Sequence, residues 1–385
     1  MQTTLTRFAS RRPKRTIGQE ASLRWLARAH AVSEGTLRSW SATETDAFQS
    51  RLERVIDRCA CDATKIGWRG HVVADVDLVD WKEMSLYDVV NHPHGRGTDA
   101  RNRVFAEVVN AYFESEYANE EHAPSDIIHV TCTGYVSPSG AQRMVQEKGW
   151  GASTRVTHAY HMGCYAAFPA TRLAIGALHT PETCASPLGN RSVDVVHTEL
   201  CTLHLDPSDH SIEQLVVQSL FADGFVRYAV SADRDALGLR VLALDERILA
   251  DSADSMGWAL SDWGMKMTLA RDVPDRIRGA VRQFVTDLYS RAGLSLPTEL
   301  KKTIFAVHPG GPKIIDAVGE VLELERSQVQ TSRDVLFDYG NMSSATLPHV
   351  WMRIVHDATI ARGTLVLSLA FGPGLTLCGG LFRKH

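Results

Sequence analysis

Apolar residues gather along the chain in short blocks, separated by polar turns and by longer amphipathic stretches. Ser125 to Thr133 (SDIIHVTCT) reads as a strand, and the pattern then changes to a helix from about Ser139 to Glu147. Ser192 to Thr198 (SVDVVHT) is a second strand following a helical stretch. Further on, Leu239 to Leu244 (LRVLAL) and Thr303 to Val307 (TIFAV) again read as strands. Pro312 suits the first turn of a helix that runs to Leu324. Strands alternating with helices predict an α/β fold with sheets covered by helices. The same strand, turn and helix grammar recurs on either side of a break near residue 237, which divides the chain into 1–237 and 238–385.

The 385 residues are 44% hydrophobic and 22% charged, values that set disorder and fibrous classes aside. A formal charge of -4 gives no reason to expect nucleic acid or an acidic membrane as the main partner. No run of about eighteen apolar residues occurs, so no membrane span is expected. The seven cysteines, Cys184 among them, are scattered and odd in number, and no secretory signal precedes them. A reduced, cytoplasmic setting is therefore expected rather than a disulfide framework. Met1 to Gly18 carries several arginines and threonines and no acid. This faintly resembles an organelle presequence, but Arg11 to Arg15 reads as well as a solvated tail.

Chemistry enters with Cys164, in Thr154-Arg-Val-Thr-His-Ala-Tyr-His-Met-Gly-Cys-Tyr. An extended run ends at Gly163 and a helical pattern starts at the cysteine. A thiol at a helix N-terminus is drawn toward thiolate, with pKa values of about 3.5–7.5 in such settings. Gly163 is expected to leave room for a ligand beside the sulfur, and Pro169 predicts a kink. Taken alone, Cys164 is more often a buried structural cysteine. His308, in Phe305-Ala-Val-His-Pro-Gly-Gly-Pro, follows a strand and precedes a helix. Asn341, in Tyr339-Gly-Asn-Met-Ser-Ser-Ala, also falls at a predicted strand-to-helix corner. Singly, His308 could cap a helix and Asn341 could serve a turn. Together they supply a nucleophile, a base and an amide. Cys, His and Asn serve either peptide hydrolysis or acyl condensation. The papain-type cysteine signature is absent, which sets the protease aside. Cys59-Ala-Cys61 lacks a second pair for zinc, His92-Pro-His94 lacks partners, and His158 reads as packing.

The motifs resemble those of the type III polyketide synthases, the chalcone synthase family. Gly163-Cys-Tyr-Ala, Val307-His-Pro-Gly-Gly-Pro-Lys-Ile-Ile-Asp, Tyr339-Gly-Asn-Met-Ser-Ser-Ala and Phe371-Gly-Pro-Gly-Leu-Thr stand in the family's order, and Leu220-Phe-Ala-Asp-Gly and Arg271-Asp-Val-Pro also fit. The similarity covers the chain from about residue 50 to its end. It implies a thiolase fold, five-layered αβαβα, built of two similar halves and acting as a homodimer. It further implies that Cys164 takes an acyl group from a thioester, with His308 and Asn341 forming the oxyanion hole for the enolate. Phe221 matches a gatekeeping phenylalanine, and Gly372 and Gly374 belong to the glycine loop. Arg51, Arg54 and Arg58 fall where the family meets coenzyme A phosphates, and their spacing puts them on one helical face. Glu53 and Asp57 between them leave a salt-bridged surface as the plainer reading.

Departures from the family pattern predict a reshaped cavity. Cys201 and His204 replace small or hydroxylated residues, Trp258 stands at a common glycine, and Met267 replaces a second gatekeeping phenylalanine. Ala370 replaces the first glycine of the loop. His204 reads equally as pocket lining or core. Thr131-Cys-Thr-Gly-Tyr and Tyr160-His-Met-Gly-Cys-Tyr resemble bacterial stand-alone ketosynthases that join two carrier-bound β-ketoacyl chains into α-pyrone antibiotics of the myxopyronin and corallopyronin kind. The alternatives are decarboxylative extension with malonyl-CoA, a fatty-acid initiating ketosynthase, and a non-catalytic partner subunit that the intact Cys164 disfavours. The expected partners are acyl carrier protein or acyl-CoA. Neither metal nor nucleotide cofactor is implied, since no Walker or Rossmann glycine pattern follows a suitable strand.

Overall fold

In the computed structural model, which describes residues 3–179, 192–233 and 235–385, Arg11 to Arg15 is not a tail but a largely exposed link after a sheet strand. This strand, β1 (Thr4–Arg11), leads to β2 (Arg15–Gly18), α1 (Gln19–Arg38), α2 (Ala42–Cys59) and β3 (Trp68–His71). Then come α3 (Thr98–Glu116), β4 (Asp126–Thr131), α4 (Gly140–Glu147), β5 (Arg155–Tyr160) and α5 (Ala167–His179). They are followed by β6 (Ser192–Leu200), α6 (Ile212–Leu220) and β7 (Asp223–Ser231). The later part opens with β8 (Gly238–Ile248), the hairpin strands β9 (Met256–Ser261) and β10 (Gly264–Leu269), α7 (Val273–Arg291) and α8 (Leu296–Glu299). It closes with β11 (Ile304–Val307), α9 (Pro312–Leu322), α10 (Gln330–Tyr339), α11 (Thr346–His356), β12 (Leu365–Gly372) and β13 (Thr376–Lys384).

Nine strands share one sheet in the order β11-β12-β13-β8-β1-β7-β6-β4-β5. The two wings repeat one pattern outward from the centre. β1, β7, β6 and β4 pair antiparallel, antiparallel and parallel, and β8, β13, β12 and β11 do the same. The wings meet where Thr4 to Thr6 pair with Gly238 to Arg240.

Burial arranges the layers. α5 and α11 lie between the wings, where Phe168 and Trp351 meet edge to face at 5.7 Å and both are buried. Trp351 Nε1 donates to Ser368 Oγ at 2.7 Å, so the indole is buried without an orphaned donor. Outside one wing, Ile277 and Phe284 of α7 and Ile315 of α9 pack in a common cluster. Outside the other, Phe105 and Phe113 of α3 pack with Met144 of α4. The result is five layers, α, β, α, β, α, and each fully buried large side chain contributes roughly 1.5–3 kcal/mol.

Local signals account for several elements. Ser139 caps α4 through a capping box with Gln142. Pro312 sits in the first turn of α9, as expected. Pro169 is also a first-turn residue, the third of α5, where no intrahelical N–H is required, so the expected kink is corrected to an ordinary helix start. No described helix is long and apolar enough to cross a membrane.

Candidate active site

β5 delivers the chain to the nucleophile. After Tyr160 the backbone turns through His161 (φ 61°) and Gly163 (φ 75°), and a 3-10 turn, Gly163–Tyr165, presents Cys164 just ahead of α5. A Cβ at Gly163 would lie 2.8 Å from Pro373 Cδ. Gly163 therefore makes room for the β12–β13 turn, and it also lines the cavity beside the sulfur. That turn is fitted to the nucleophile from the other side too, since a Cβ at Gly372 would stand 2.2 Å from Tyr165 Cδ1. Gly374 takes φ 110°. The two loop glycines thus seat Pro373 against Cys164's turn, and Pro373, rather than either glycine, lines the cavity.

Cys164 is buried, and its sulfur lies 3.7 Å from Ser343 Oγ. Burial pushes the thiol up to about 12, with Ser343 pulling the other way. The helix-end effect expected from sequence is outweighed by desolvation. His308 follows β11 directly and its N–H donates to Leu369 O at 2.7 Å. Its ring is buried, both nitrogens lack a hydrogen-bond partner among the described residues, and burial holds it neutral, down to about 3.

Asn341 sits between two helices, α10 and α11, and not at the predicted strand-to-helix corner. Gly340 (φ 72°) turns the chain there. Asn341 then exchanges backbone hydrogen bonds with Leu220 and Ala222 and bridges to Phe221. Its Oδ1 accepts from Ser343 N at 2.9 Å, which fixes the amide orientation and leaves Nδ2 as the donor. Nδ2 donates to Gly310 O at 3.2 Å, on the loop that carries His308.

The cavity over Cys164 is small, with about 20 Å³ of free space, close to what one water needs. Cys132, Cys164, Cys201, Phe221, Trp258, Met267, Ser343 and Pro373 are among its walls; His308 and Asn341 are not. Trp258 and Met267 are register partners in the β9–β10 hairpin, and Trp258 Nε1 donates to Cys132 O at 2.7 Å. His204 stands behind this wall. Its Nδ1 accepts from Met265 N at 3.0 Å, so Nε2 carries the proton and donates to Thr133 O at 2.8 Å. With both nitrogens used, His204 braces the hairpin and is not pocket lining, which corrects its placement among substrate contacts.

The sequence reading missed the polar group beneath the cavity floor. Glu199, fully buried at the end of β6, accepts from Cys132 N at 3.1 Å, Cys132 Sγ at 3.4 Å and Thr133 Oγ1 at 3.1 Å through Oε2. Its Oε1 accepts from Ser344 Oγ. Burial raises this carboxyl from 4.5 to about 7, against those hydrogen bonds. The available signal was an acid near the end of a strand rich in valine, VVHTEL, and Cys132 stood in a phrase read only for its resemblance.

Arg51, Arg54 and Arg58 share the exposed face of α2, whose other side buries Leu52 and Ile56. Arg58 Nε donates to Arg54 O at 3.0 Å. His158 Nε2 lies 2.9 Å from Ser139 Oγ and its ring stacks on Tyr160, a packing role. Cys184 lies outside the described residues. Among the described residues no group of three or more His, Cys, Asp or Glu side chains is arranged to hold a metal ion.

Residues 241–384 match the family described as chalcone and stilbene synthases, C-terminal domain. The 1,3,6,8-tetrahydroxynaphthalene synthase of Streptomyces griseus is 29% identical over 292 residues, 74% of each chain. Type III polyketide synthase C of Arabidopsis thaliana is 29% identical over 266 residues, 67% of each. Among solved structures, the C-terminal type III polyketide synthase domain of Dictyostelium Steely1 superposes with a TM-score of 0.79 at 22% identity, covering 100% of this chain and 99% of that one. The 1,3,6,8-tetrahydroxynaphthalene synthase of Streptomyces coelicolor gives 0.77 at 23% identity over 99% of both. The five layers are those of the thiolase fold, and the relatives mark the chain as an acyltransferase of the ketosynthase type. Within that class, the chain is similar to the type III polyketide synthases, over 74% of its length for the first relative and 67% for the second.

Proposed function

We propose that the protein condenses a short acyl-CoA starter with malonyl-CoA. Cys164 passes its proton to His308 and takes the starter acyl group; decarboxylation of malonyl-CoA then supplies the carbanion that attacks this thioester. The observation that carries the reading is the pairing of a small, mainly apolar cavity over Cys164 with an imidazole that has no partner among the described residues. Burial opposes charge on each group alone, whereas a thiolate–imidazolium pair keeps net charge at zero and gains mutual attraction. His308, once protonated, and Asn341 Nδ2 are the donors for the enolate oxygen. Arg51, Arg54 and Arg58 meet the phosphates of coenzyme A on the outer surface, where loose, exposed cations suit a mobile dianion.

Trp258, Met267 and Phe221 limit the chain length, since about 20 Å³ leaves no room for a long acyl tail unless the hairpin moves. The tetrahydroxynaphthalene synthases support extension with coenzyme A thioesters better than the joining of two carrier-bound chains, for which the geometry adds no support. We further read 1–237 and 238–385 as the two units of the repeat and two copies of the chain as the working form.

The test is carbon dioxide release from malonyl-CoA with acetyl-CoA and longer acyl-CoA starters. Release with short starters that stops in Cys164→Ala supports the proposal. Products formed from carrier-bound β-ketoacyl chains without carbon dioxide release contradict it.

A further inference from the structure

We propose that Arg69 is a positioning residue for the condensation, fixing Asn341 and Phe221 without lining the cavity itself. The inference rests on the reading of Asn341 Nδ2 as a donor to the enolate oxygen. α6 ends inside the protein, just ahead of Phe221, so the carbonyls of its last turn need partners from elsewhere. Each takes a different one. Gln218 O accepts from Arg69 Nη1 at 2.8 Å, Ser219 O from Gln19 Nε2 at 2.9 Å and Leu220 O from Asn341 N at 2.9 Å. Arg69 Nη1 also donates to Phe221 O at 2.9 Å, one residue beyond the helix. A single guanidinium nitrogen therefore spans the turn that sends Phe221 into the cavity wall and to which the Asn341 backbone is tied.

The aliphatic stem of Arg69 reaches the other flank of Asn341. Gly340 turns the chain with φ 72°, and a Cβ there would stand 3.1 Å from Arg69 Cγ. Head and stem thus meet both segments between which Asn341 is fixed.

Charge singles Arg69 out among the residues that hold this turn. It is buried on β3, and burial lowers the guanidinium only to about 10, so it stays charged at neutral pH. Asp223 attracts it, yet the Asp223 oxygens are taken by Thr202 N, Thr202 Oγ1 and Val72 N. Arg69 Nε has no hydrogen-bond partner among the described residues. A buried cation served by carbonyls is costly to keep. What it meets here is the negative end of α6, where a charged donor grips the last turn more firmly than a neutral one. An enolate donor needs that firmness, because a misplacement of about 1 Å can cost roughly 10²-fold in rate.

The experiment compares two rates in wild type, Arg69→Met and Arg69→Lys. One is carbon dioxide release from malonyl-CoA, which calls on the Asn341 donor. The other is Cys164 alkylation by iodoacetamide against pH, which does not. Arg69→Met should lower kcat for release roughly 10²-fold with KM little changed, and should alkylate with the wild-type rate and pH profile. Arg69→Lys, whose ammonium can still donate to the two carbonyls, should recover kcat to within about tenfold of wild type. Added to Asn341→Ala, Arg69→Met should cost less than about twofold more, since both changes act on one donor. Where Arg69→Met does not fold, Arg69→Gln takes its place with the same expected split between the two rates. A lowered melting temperature with wild-type kcat overturns the proposal and leaves Arg69 a structural residue. Equal losses with and without Asn341 overturn it too, because Arg69 would then act elsewhere. Release that survives Asn341→Ala unaltered removes the donor on which the proposal rests. No release from wild type overturns the condensation reading and this proposal with it.

Discussion

Glu199 and His308 are both buried titratable groups, yet their surroundings are opposite. Glu199 is enclosed by four donors from three residues, Cys132, Thr133 and Ser344, so nearly every lone pair that a carboxylate offers is used. His308 is equally sheltered and has no partner on either nitrogen. A buried polar group without a partner costs roughly 1–3 kcal/mol, which a protein keeps only where something else benefits. The difference separates a floor that holds its shape without substrate from an imidazole left free to take a proton, as the proposed mechanism requires. It also explains why the two differ in how their charge depends on pH. The hydrogen bonds to Glu199 offset part of its desolvation, whereas desolvation alone sets the behaviour of His308.

The contrast is broken most severely at the waiting side. Cys164→Ala should abolish product formation while leaving the thermal midpoint near wild type, as followed by turnover and melting. Asn341→Ala removes one donor from the proposed oxyanion hole and should lower kcat roughly 10²–10³-fold. The supported side answers through stability. The Glu199 carboxyl has its folded pKa raised from 4.5 to about 7, so the folded state binds the extra proton between those values. Stability then falls as pH rises through that window and is flat above it. Relative to Glu199→Gln, wild type should lose about 3 kcal/mol across the interval in denaturant titrations. The amide keeps the acceptor for Cys132 and Thr133 and can donate to Ser344. A curve parallel to the variant's would show that Glu199 stays ionised.

Trp258→Gly should sharpen the comparison by opening the cavity without touching either polar group. Products should lengthen by one or more extension units, as read by mass spectrometry, since the indole and its bond to Cys132 O are removed together. The smallest effect is expected at the surface. Replacing Arg51, Arg54 and Arg58 together by alanine should raise KM for acyl-CoA by up to about tenfold and flatten its salt dependence, with kcat little changed.

Much of the frame was legible because it is local. The strands β4, β6, β8 and β11 are apolar runs, and α4 and α9 announce themselves through Ser139 and Pro312. β1 was not legible, for its pairing joins residue 4 to residues 231 and 240, and no local pattern reports such a partnership. The same limit hid the chemistry under the floor. Glu199, Cys132 and Ser344 lie far apart in the chain, and each is unremarkable among its neighbours. His204 was left open between pocket and core, and only Met265 N and Thr133 O, brought from two other elements, decide it. The motif around Cys164 located the nucleophile turn, but not that Gly163 serves Pro373, because that contact joins residues 163 and 373.

The central claim is that the unpartnered His308 is the proton acceptor for Cys164. The most direct measurement is the rate of Cys164 alkylation by iodoacetamide against pH, in wild type and in His308→Gln. The account predicts that at pH 7 the variant reacts roughly 10²-fold more slowly and that its apparent pKa moves upward. Equal rates and an unchanged pH profile would contradict it, and would leave the imidazole as a packing residue beside a thiol activated by something else.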